Sequence, residues 1–229
     1  MTVANAATSG VANTASNHSW THTPDVAGDP RAVVVYVSQP TASENYITGV
    51  TYGGTALAQI AGSPLSKATS QAMHVSCWFL GSGIPTGATE TVVASHSASG
   101  SRLCVCITVT AAADCEVYDI DTVSSDSVTN PSMTLVLDGK ACLVSNGFAS
   151  GVAATTGIAP ATNMQNIAEA DAGASCGGCY AYNPYVTSSA TDVGWQQTTE
   201  DALGIATAIT ETADGLLLYT SPGLSVTNP

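Results

Sequence analysis

VTYGGTAL, residues 50–57, places two adjacent glycines between segments that alternate apolar and polar side chains. A Gly-Gly link between extended segments predicts a β-hairpin, because both central residues of a type I′ turn need a positive φ. ENYITGVTY before the glycines and TALAQIAG after them are the predicted arms. The chain therefore reverses here as a β-ribbon.

Short extended segments punctuated by Gly and Pro continue through the chain. RAVVVYVS, residues 31–38, is a β-branched run between two prolines and a predicted strand. QAMHVSCWFL, residues 71–80, alternates but is apolar on both faces near its end, so we expect both faces to be covered. A second hairpin is predicted at Asp138-Gly139, between two alternating apolar runs. The other predicted strands lie in GIPTGATETVVAS, SRLCVCITVT, CYAYNPYV, TDVGWQQT, ALGIATAITET and GLLLYTS.

The composition agrees with this pattern. Of the 229 residues only 9% are charged, and Ala, Thr, Ser, Val and Gly predominate. Soluble helices usually expose Glu and Lys, whereas Thr, Ser and Val suit a pleated surface. We find no sustained 3.6-residue periodicity. The sequence therefore predicts an all-β protein, an antiparallel β-sandwich of jelly-roll type with about ten to twelve strands.

Three segments are predicted along the chain. Residues 1–16 form a flexible or docking N-terminal arm, residues 17–212 form one β-sandwich domain, and residues 213–229 form a C-terminal strand and tail. Within the domain, residues 151–165 are a predicted long surface loop. The first residues lack the basic start and apolar core of a secretory signal, so we expect a protein made in soluble form.

The charge excludes two classes of partner. The formal net charge is −13 with four Lys and Arg residues. Nucleic-acid binding draws its affinity from clustered basic side chains, and a negative protein is repelled by anionic membranes. We therefore expect neither nucleic acid nor membrane as a partner.

The histidines do not suggest a catalytic site. The chain has no G-x-S-x-G elbow, and its four His residues stand in unrelated contexts. His18 and His22 bracket Trp20 and could ligate a metal, but a packed aromatic residue is the commoner use of such a stretch. We expect no enzyme activity and no cofactor.

Seven cysteines at irregular spacing argue against a full disulfide framework. Cys176 and Cys179, in CGGC, could be half of a zinc site, a redox motif, a local disulfide or a turn with free thiols. A second pair at metal-ligand spacing is missing, as is a βαβ context. A disulfide and a turn with free thiols are therefore favoured over a metal.

Two further groups are candidate binding residues. Asp119 and Asp121 stand two residues apart, so on a strand they would project from one side and could hold Ca²⁺. A charged edge that discourages sheet-to-sheet aggregation is the favoured explanation. Tyr180, Tyr182 and Tyr185, in a segment rich in Gly, Asn and Pro, are the candidates for stacking on a sugar.

Several segments together resemble a β-sandwich domain family of bacteriophage virion structural proteins and bacterial surface proteins. They are SWTHTP, RAVVVYVS, VTYGGTAL, CWFL, PTGATETVV and GWQQ followed by GIATAIT. The resemblance spans roughly residues 17–210, and VTYGGTAL is its most specific element. Similar bacterial domains sit inside longer chains, whereas this one nearly fills its chain.

The resemblance implies a non-enzymatic structural role. We expect a capsid decoration or cement protein that binds the major capsid protein or another virion protein, self-associates into a homo-oligomer, and joins the virion in the host cytoplasm. The alternative is a carbohydrate-binding, lectin-like module of a tail fibre or cell-surface adhesin. A third hypothesis is a tail or baseplate structural protein.

Overall fold

The computed structural model describes residues 4–13, 17–24, 29–42, 44–68, 72–98, 101–153, 158–160, 164–172, 175–182 and 188–212. Within these stretches the chain forms β-strands joined by turns, and it contains no helix. Every strand pairing is antiparallel. The prediction of an all-β antiparallel protein is therefore confirmed. In this described part of the chain, no helix is long and apolar enough to cross a membrane.

The first half of the structure, residues 4–110, forms two sheets. Its strands are β1 (Ala4–Asn13), β2 (Asn17–His22), β3 (Pro30–Gln39), β4 (Ile47–Tyr52), β5 (Thr55–Ala56), β6 (Ala58–Gln59), β7 (Leu65–Lys67), β8 (Met73–Leu80), β9 (Glu90–His96) and β10 (Arg102–Thr110). The six-stranded sheet has the order β1-β10-β3-β8-β6, with β7 also paired to β8. The four-stranded sheet has the order β2-β9-β4-β5.

The second half, residues 115–211, forms the other two sheets. Its strands are β11 (Cys115–Val128), β12 (Ser132–Val136), β13 (Leu143–Ser150), β14 (Ala159–Pro160), β15 (Met164–Ala172), β16 (Ser175–Tyr182), β17 (Ala190–Gln196) and β18 (Glu200–Glu211). The five-stranded sheet has the order β11-β18-β13-β16-β15, and the three-stranded sheet has the order β12-β17-β14. The described residues thus form eighteen strands, more than the ten to twelve predicted.

The two halves repeat one strand order. In the larger sheets, β1-β10-β3-β8 of the first half corresponds to β11-β18-β13-β16 of the second. In the smaller sheets, β2-β9-β4 corresponds to β12-β17-β14. The single domain predicted over residues 17–212 therefore consists of two units of matching topology in tandem.

Three apolar cores separate the four sheets, so the sheets stack as four layers. The central core lies between the six- and five-stranded sheets and includes Val34 and Ile205. The first outer core lies between the six- and four-stranded sheets and includes Val35 and Val50. The second outer core lies between the five- and three-stranded sheets and includes Trp195. In a strand of the six- or five-stranded sheet, successive side chains therefore point into different cores.

The two inner sheets are covered on both faces, which explains their near-continuous apolar sequences. In β10, eight of nine residues are buried, and in β13 all eight are buried. The expectation for β8 is confirmed, because Cys77 enters the central core and Trp78 the first outer core. Such runs are typical of strands without a solvent face.

The two predicted hairpins have different outcomes. Gly53 and Gly54 both have positive φ, and they join β4 to its partner β5, so this hairpin is confirmed. Asp138 and Gly139 also have positive φ. However, they lie between β12 and β13, which belong to different sheets, so the second hairpin is wrong. Its turn carries the chain from one layer to the next.

The N-terminal prediction also needs correction. Within the predicted arm, residues 1–16, the stretch Ala4–Asn13 forms β1 and pairs with β10 along its whole length. Within the predicted loop at residues 151–165, the chain forms the short strand β14 and enters β15 at Met164. The predicted strand and tail at residues 213–229 lie outside the described residues.

A buried ion pair joins the two halves. Nζ of Lys67 in β7 lies 2.9 Å from Oδ2 of Asp201 in β18 and 2.7 Å from Oδ1 of Asp126 in β11. The side chains of Lys67 and Asp201 are 3% and 5% exposed, whereas that of Asp126 is 68% exposed. Burial lowers the pKa of Lys67, but the hydrogen bonds and charges of the two carboxylates outweigh it, so the net pKa is raised. Lys67 therefore stays protonated at the junction.

Candidate functional site

A surface groove lies where the two halves meet, between β6 and β8 on one side and the start of β11 on the other. We call it the edge groove; its cavity volume is about 470 Å³. Apolar side chains from both halves line it, among them Ile60 and Phe79 of the first half and Cys115 and Val117 of the second. Ile60 and Cys115 are buried, and the other two are partly buried. The edge groove is thus an apolar channel between two sheet edges.

Close backbone contact holds the edge groove together. The Cys115 N–H donates a hydrogen bond to the Gly81 carbonyl at 2.7 Å, and the Thr212 N–H donates to the Asp114 carbonyl at 2.8 Å. A Cβ on residue 81 would lie 2.0 Å from the Cys115 carbonyl oxygen. Glycine is therefore required where the halves approach.

The rim of the edge groove is negatively charged. Asp114 and Glu116 line it and are exposed, and the described lining residues include no Lys or Arg. Edge strands can add an extended segment of another chain, with affinity from main-chain hydrogen bonds and specificity from side-chain pockets. This groove suits an extended segment with an apolar anchor and a neighbouring Lys or Arg.

The calcium candidates Asp119 and Asp121 are used as hydrogen-bond acceptors. Asp119 Oδ2 accepts from the Val136 N–H at 2.7 Å. The Asp121 carboxylate accepts from the Thr134 N–H at 2.7 Å and from the Thr122 N–H at 2.8 Å. These carboxylates therefore satisfy the open edge of β12. Among the residues that the structure describes, no group of three or more His, Cys, Asp or Glu side chains could hold a metal ion.

Cys176 and Cys179 lie in strand β16 rather than in a turn, and neither forms a disulfide. Cys176 belongs to the second outer core and Cys179 to the central core, so the two side chains point to opposite faces of the sheet. The disulfide prediction is therefore wrong. The intervening glycines serve packing: a Cβ on Gly178 would lie 2.2 Å from Cζ of Phe148.

Tyr180 cannot stack on a sugar, because its ring is not accessible from the surface. Its side chain is fully buried, its ring centroid lies 4.9 Å from that of Phe148, and its hydroxyl donates to the Glu169 carboxylate. Tyr182 lies at the end of β16, and nothing is described of its side chain. Tyr185 lies outside the described residues.

The histidines that bracket Trp20 do not share a site. His22 bonds Ser9 Oγ at 2.8 Å through Nδ1 and Thr108 Oγ1 at 3.3 Å through Nε2. His18 instead lies beside His96, with ring centroids 5.7 Å apart. The hypothesis that His18 and His22 together ligate a metal is therefore wrong.

Two arrangements escaped the sequence analysis because their members are far apart in the chain. The edge groove combines residues near position 60, position 80 and position 115, and the pair His18–His96 spans two strands. One local signal was present: Gly81 directly follows an apolar strand and marks a close approach.

The comparisons with known proteins gave no match: no protein-family profile, no curated protein and no solved structure matches this chain. The resemblance stated from the sequence motifs therefore stays a prediction.

Proposed function

We propose that this chain is a bacteriophage virion structural protein, a decoration or cement protein on the outside of the capsid, built from two tandem jelly rolls. The strand order carries the proposal. In a jelly roll, the first, eighth, third and sixth strands form one sheet, and the second, seventh, fourth and fifth form the other; viral capsid proteins use this fold widely. The orders β1-β10-β3-β8 and β2-β9-β4-β5 follow this rule when the short strands β6 and β7 are left out of the count, because β8, β9 and β10 are then the sixth, seventh and eighth strands.

The second half supports the same assignment with one change. Its orders β11-β18-β13-β16 and β12-β17-β14 follow the rule, but β15 pairs with β16 in the larger sheet instead of with β14. Stacking through the two larger sheets buries both of them. A rigid four-layer body of this kind suits a protein that bears load in an assembly.

The resemblance and the charge add independent support. VTYGGTAL, the most specific element of the resemblance, covers the end of β4, the Gly53-Gly54 turn and β5. The net charge of −13 favours solubility and discourages random self-association, which suits a protein present in many copies.

The edge groove is the surface that we propose for docking to the shell. Its occupant is an extended segment of the major capsid protein, with an apolar anchor and a Lys or Arg facing Asp114 and Glu116. Charge complementarity argues for this occupant, because the rim is acidic and the whole chain is strongly negative.

Imaging of virions made without this protein tests the function. We expect intact heads that lack a layer of surface density, and purified protein should restore that layer. Unchanged head density, or missing density at the tail, would contradict a decoration role; the second outcome would favour the tail or baseplate hypothesis.

A charge reversal in the edge groove tests the docking surface. Glu116→Lys places a cation on the rim and should weaken binding to empty capsids by about tenfold or more. Glu44→Lys makes the same change at an exposed residue in the loop between β3 and β4 and serves as the matched control. Equal binding by both variants would exclude the edge groove.

The carbohydrate-binding alternative has lost one of its three candidate residues, because Tyr180 is buried. Jelly rolls also occur in lectins, so strand order does not separate the two functions. A glycan array distinguishes them: specific sugar binding by a protein that leaves capsids bare would favour the alternative.

A further inference from the structure

The last residue that the structure describes, Thr212, lines the edge groove. Its backbone N–H and its hydroxyl both donate to the Asp114 carbonyl, at 2.8 and 3.0 Å. These two hydrogen bonds hold the chain beside the start of β11, where Cys115 and Val117 form one wall of the groove. The residues that follow Thr212 therefore begin at the rim of the edge groove.

An apolar run follows Thr212 closely in the sequence. Residues 215–219 read GLLLY, within the predicted strand GLLLYTS. Leu216 is four residues beyond Thr212, so at about 3.3–3.6 Å per residue it reaches at most about 14 Å from it. Three leucines and a tyrosine in succession need cover, because a run of large apolar side chains in water favours association. The edge groove is apolar cover within this reach.

The edge groove also presents strand edges to an extended segment. Among the described strands, β6 is at the end of the six-stranded sheet and β11 is at the end of the five-stranded sheet. An edge strand can pair with an added extended segment, whose alternate side chains then enter pockets. The groove volume of about 470 Å³ falls within the roughly 300–1,000 Å³ of ligand pockets. An extended GLLLY segment therefore suits both the shape and the polarity of the groove.

The charge of the segment makes it a replaceable occupant. Residues 213–229 contain no Lys or Arg and one acidic residue, Asp214. They supply an apolar anchor but no cation for Asp114 and Glu116 on the rim, so a capsid segment that carries Lys or Arg has the better charge match. Attachment through Thr212 offsets this difference in part, because linkage raises the effective concentration of the segment to about the millimolar range.

We propose that residues 215–219 occupy the edge groove of their own chain in the free protein, and that the capsid segment displaces them on docking. The occupant comes from the same chain rather than from a second copy, because Thr212 already fixes its start at the rim. The occupancy stands without the capsid role, whereas the displacement rests on the proposed function. The segment keeps the apolar groove covered until the protein meets the shell.

Disulfide trapping in the full chain tests the occupancy. Gln59 is exposed and lines the groove, so Gln59→Cys combined with Leu217→Cys should give an intrachain disulfide under mild oxidation, identified by peptide mapping. Glu44→Cys combined with Leu217→Cys is the matched control at an exposed residue and should give roughly a tenth of that yield or less. If Gln59→Cys does not fold, Ser82→Cys, also exposed in the lining, replaces it. Equal yields from groove and control pairs, or disulfides only between two copies, would overturn the proposal.

Binding to empty capsids separates this inference from the proposed function. Leu217→Asp weakens the internal competitor and should strengthen capsid binding on the order of threefold to tenfold. Leu224→Asp makes the same change outside the apolar run and should leave capsid binding unchanged. A groove disulfide in a protein that does not bind capsids would support the occupancy and contradict the proposed function. Normal capsid binding that Leu217→Asp leaves unchanged, without a groove disulfide, would contradict this inference alone.

Discussion

The Tyr36 hydroxyl lies 2.7 Å from Oγ1 of Thr207, and this contact crosses the central core from β3 in the first half to β18 in the second. The same hydroxyl lies 2.9 Å from Oγ of Ser145 in β13. Opposite the Tyr36 ring stands Gly147, where a Cβ would lie 2.5 Å from Cδ1 of the ring. One tyrosine therefore sets both the polar contact and the spacing of the two inner sheets.

Removing this hydroxyl should weaken the junction between the halves. In Tyr36→Phe, the Ser145 and Thr207 hydroxyls, 3.4 Å apart, keep each other as partners but lose Tyr36. We expect the free energy of unfolding, measured by urea denaturation, to fall by about 1–2 kcal/mol. Tyr118→Phe is the control, because the Tyr118 hydroxyl donates only an exposed hydrogen bond to the Asp138 carboxylate, and its loss should change the free energy of unfolding by less than about 0.5 kcal/mol. Equal losses would show that the hydroxyl contributes nothing specific.

The ion pair between the halves gives a larger expected effect. Lys67→Met leaves the buried Asp201 carboxylate without its cation, which typically costs about 3–5 kcal/mol. Lys140→Met removes a Lys whose Nζ lies 4.0 Å from the centroid of the Tyr118 ring, and it should cost about 1 kcal/mol or less. Chemical denaturation of both variants measures the difference. Similar losses in the two would contradict a dominant role for the Lys67 pair.

The carboxylates of β11 should support stability without calcium. Asp119→Ala or Asp121→Ala removes an acceptor from a β12 backbone N–H, so we expect each to lower the free energy of unfolding by about 0.5–1.5 kcal/mol. Glu116→Ala on the same strand is the control. Calcium should leave the melting temperature unchanged in all of these proteins. A calcium-dependent rise in the unsubstituted protein that Asp121→Ala abolishes would restore the metal-site hypothesis.

The cysteines should be inert in the folded protein. All seven are buried and none forms a disulfide, and burial raises the pKa of Cys104 and Cys115 to about 12, so few thiolates form at neutral pH. Mass spectrometry after brief alkylation should find no modified cysteine in the native protein and seven after denaturation. A native mass lower by two hydrogens, or rapid labelling at Cys176 or Cys179, would be inconsistent with this structure.

Local sequence pattern predicted the strands but could not assign them to layers. β3, β8 and β10 were readable from β-branched and alternating runs, and the apolar faces of β8 already required cover on both sides. Asp138-Gly139 marks a reversal of the backbone, yet which sheet receives the next strand depends on distant pairing. β1 and β15 are rich in Ala and contain few β-branched or aromatic residues, so their strand character comes from pairing with β10 and β16 rather than from propensity.

The edge groove was less predictable than the strands, because its lining residues are far apart in the sequence.

Cys176 and Cys179 suggested a turn, since the glycines between them are common turn residues. In the structure these glycines make room for packing against Phe148 and Ser38. Glycine in a strand and glycine in a turn look the same in one sequence, and the neighbour that needs the space decides between them.

Acidification should destabilise the protein through His18 and His22. Burial lowers the pKa of each to about 4, whereas the unfolded value is 6.5. Between these values the unfolded chain binds protons that the folded protein does not, so stability is full above pH 6.5 and falls as the pH drops toward 4. Each His adds a slope of about 1.4 kcal/mol per pH unit within this window. Urea denaturation in phosphate-free buffers should therefore give a shallower slope for His22→Gln than for the unsubstituted protein, whatever the absolute stability of the variant. Parallel pH dependences would mean that His22 titrates normally in the folded protein.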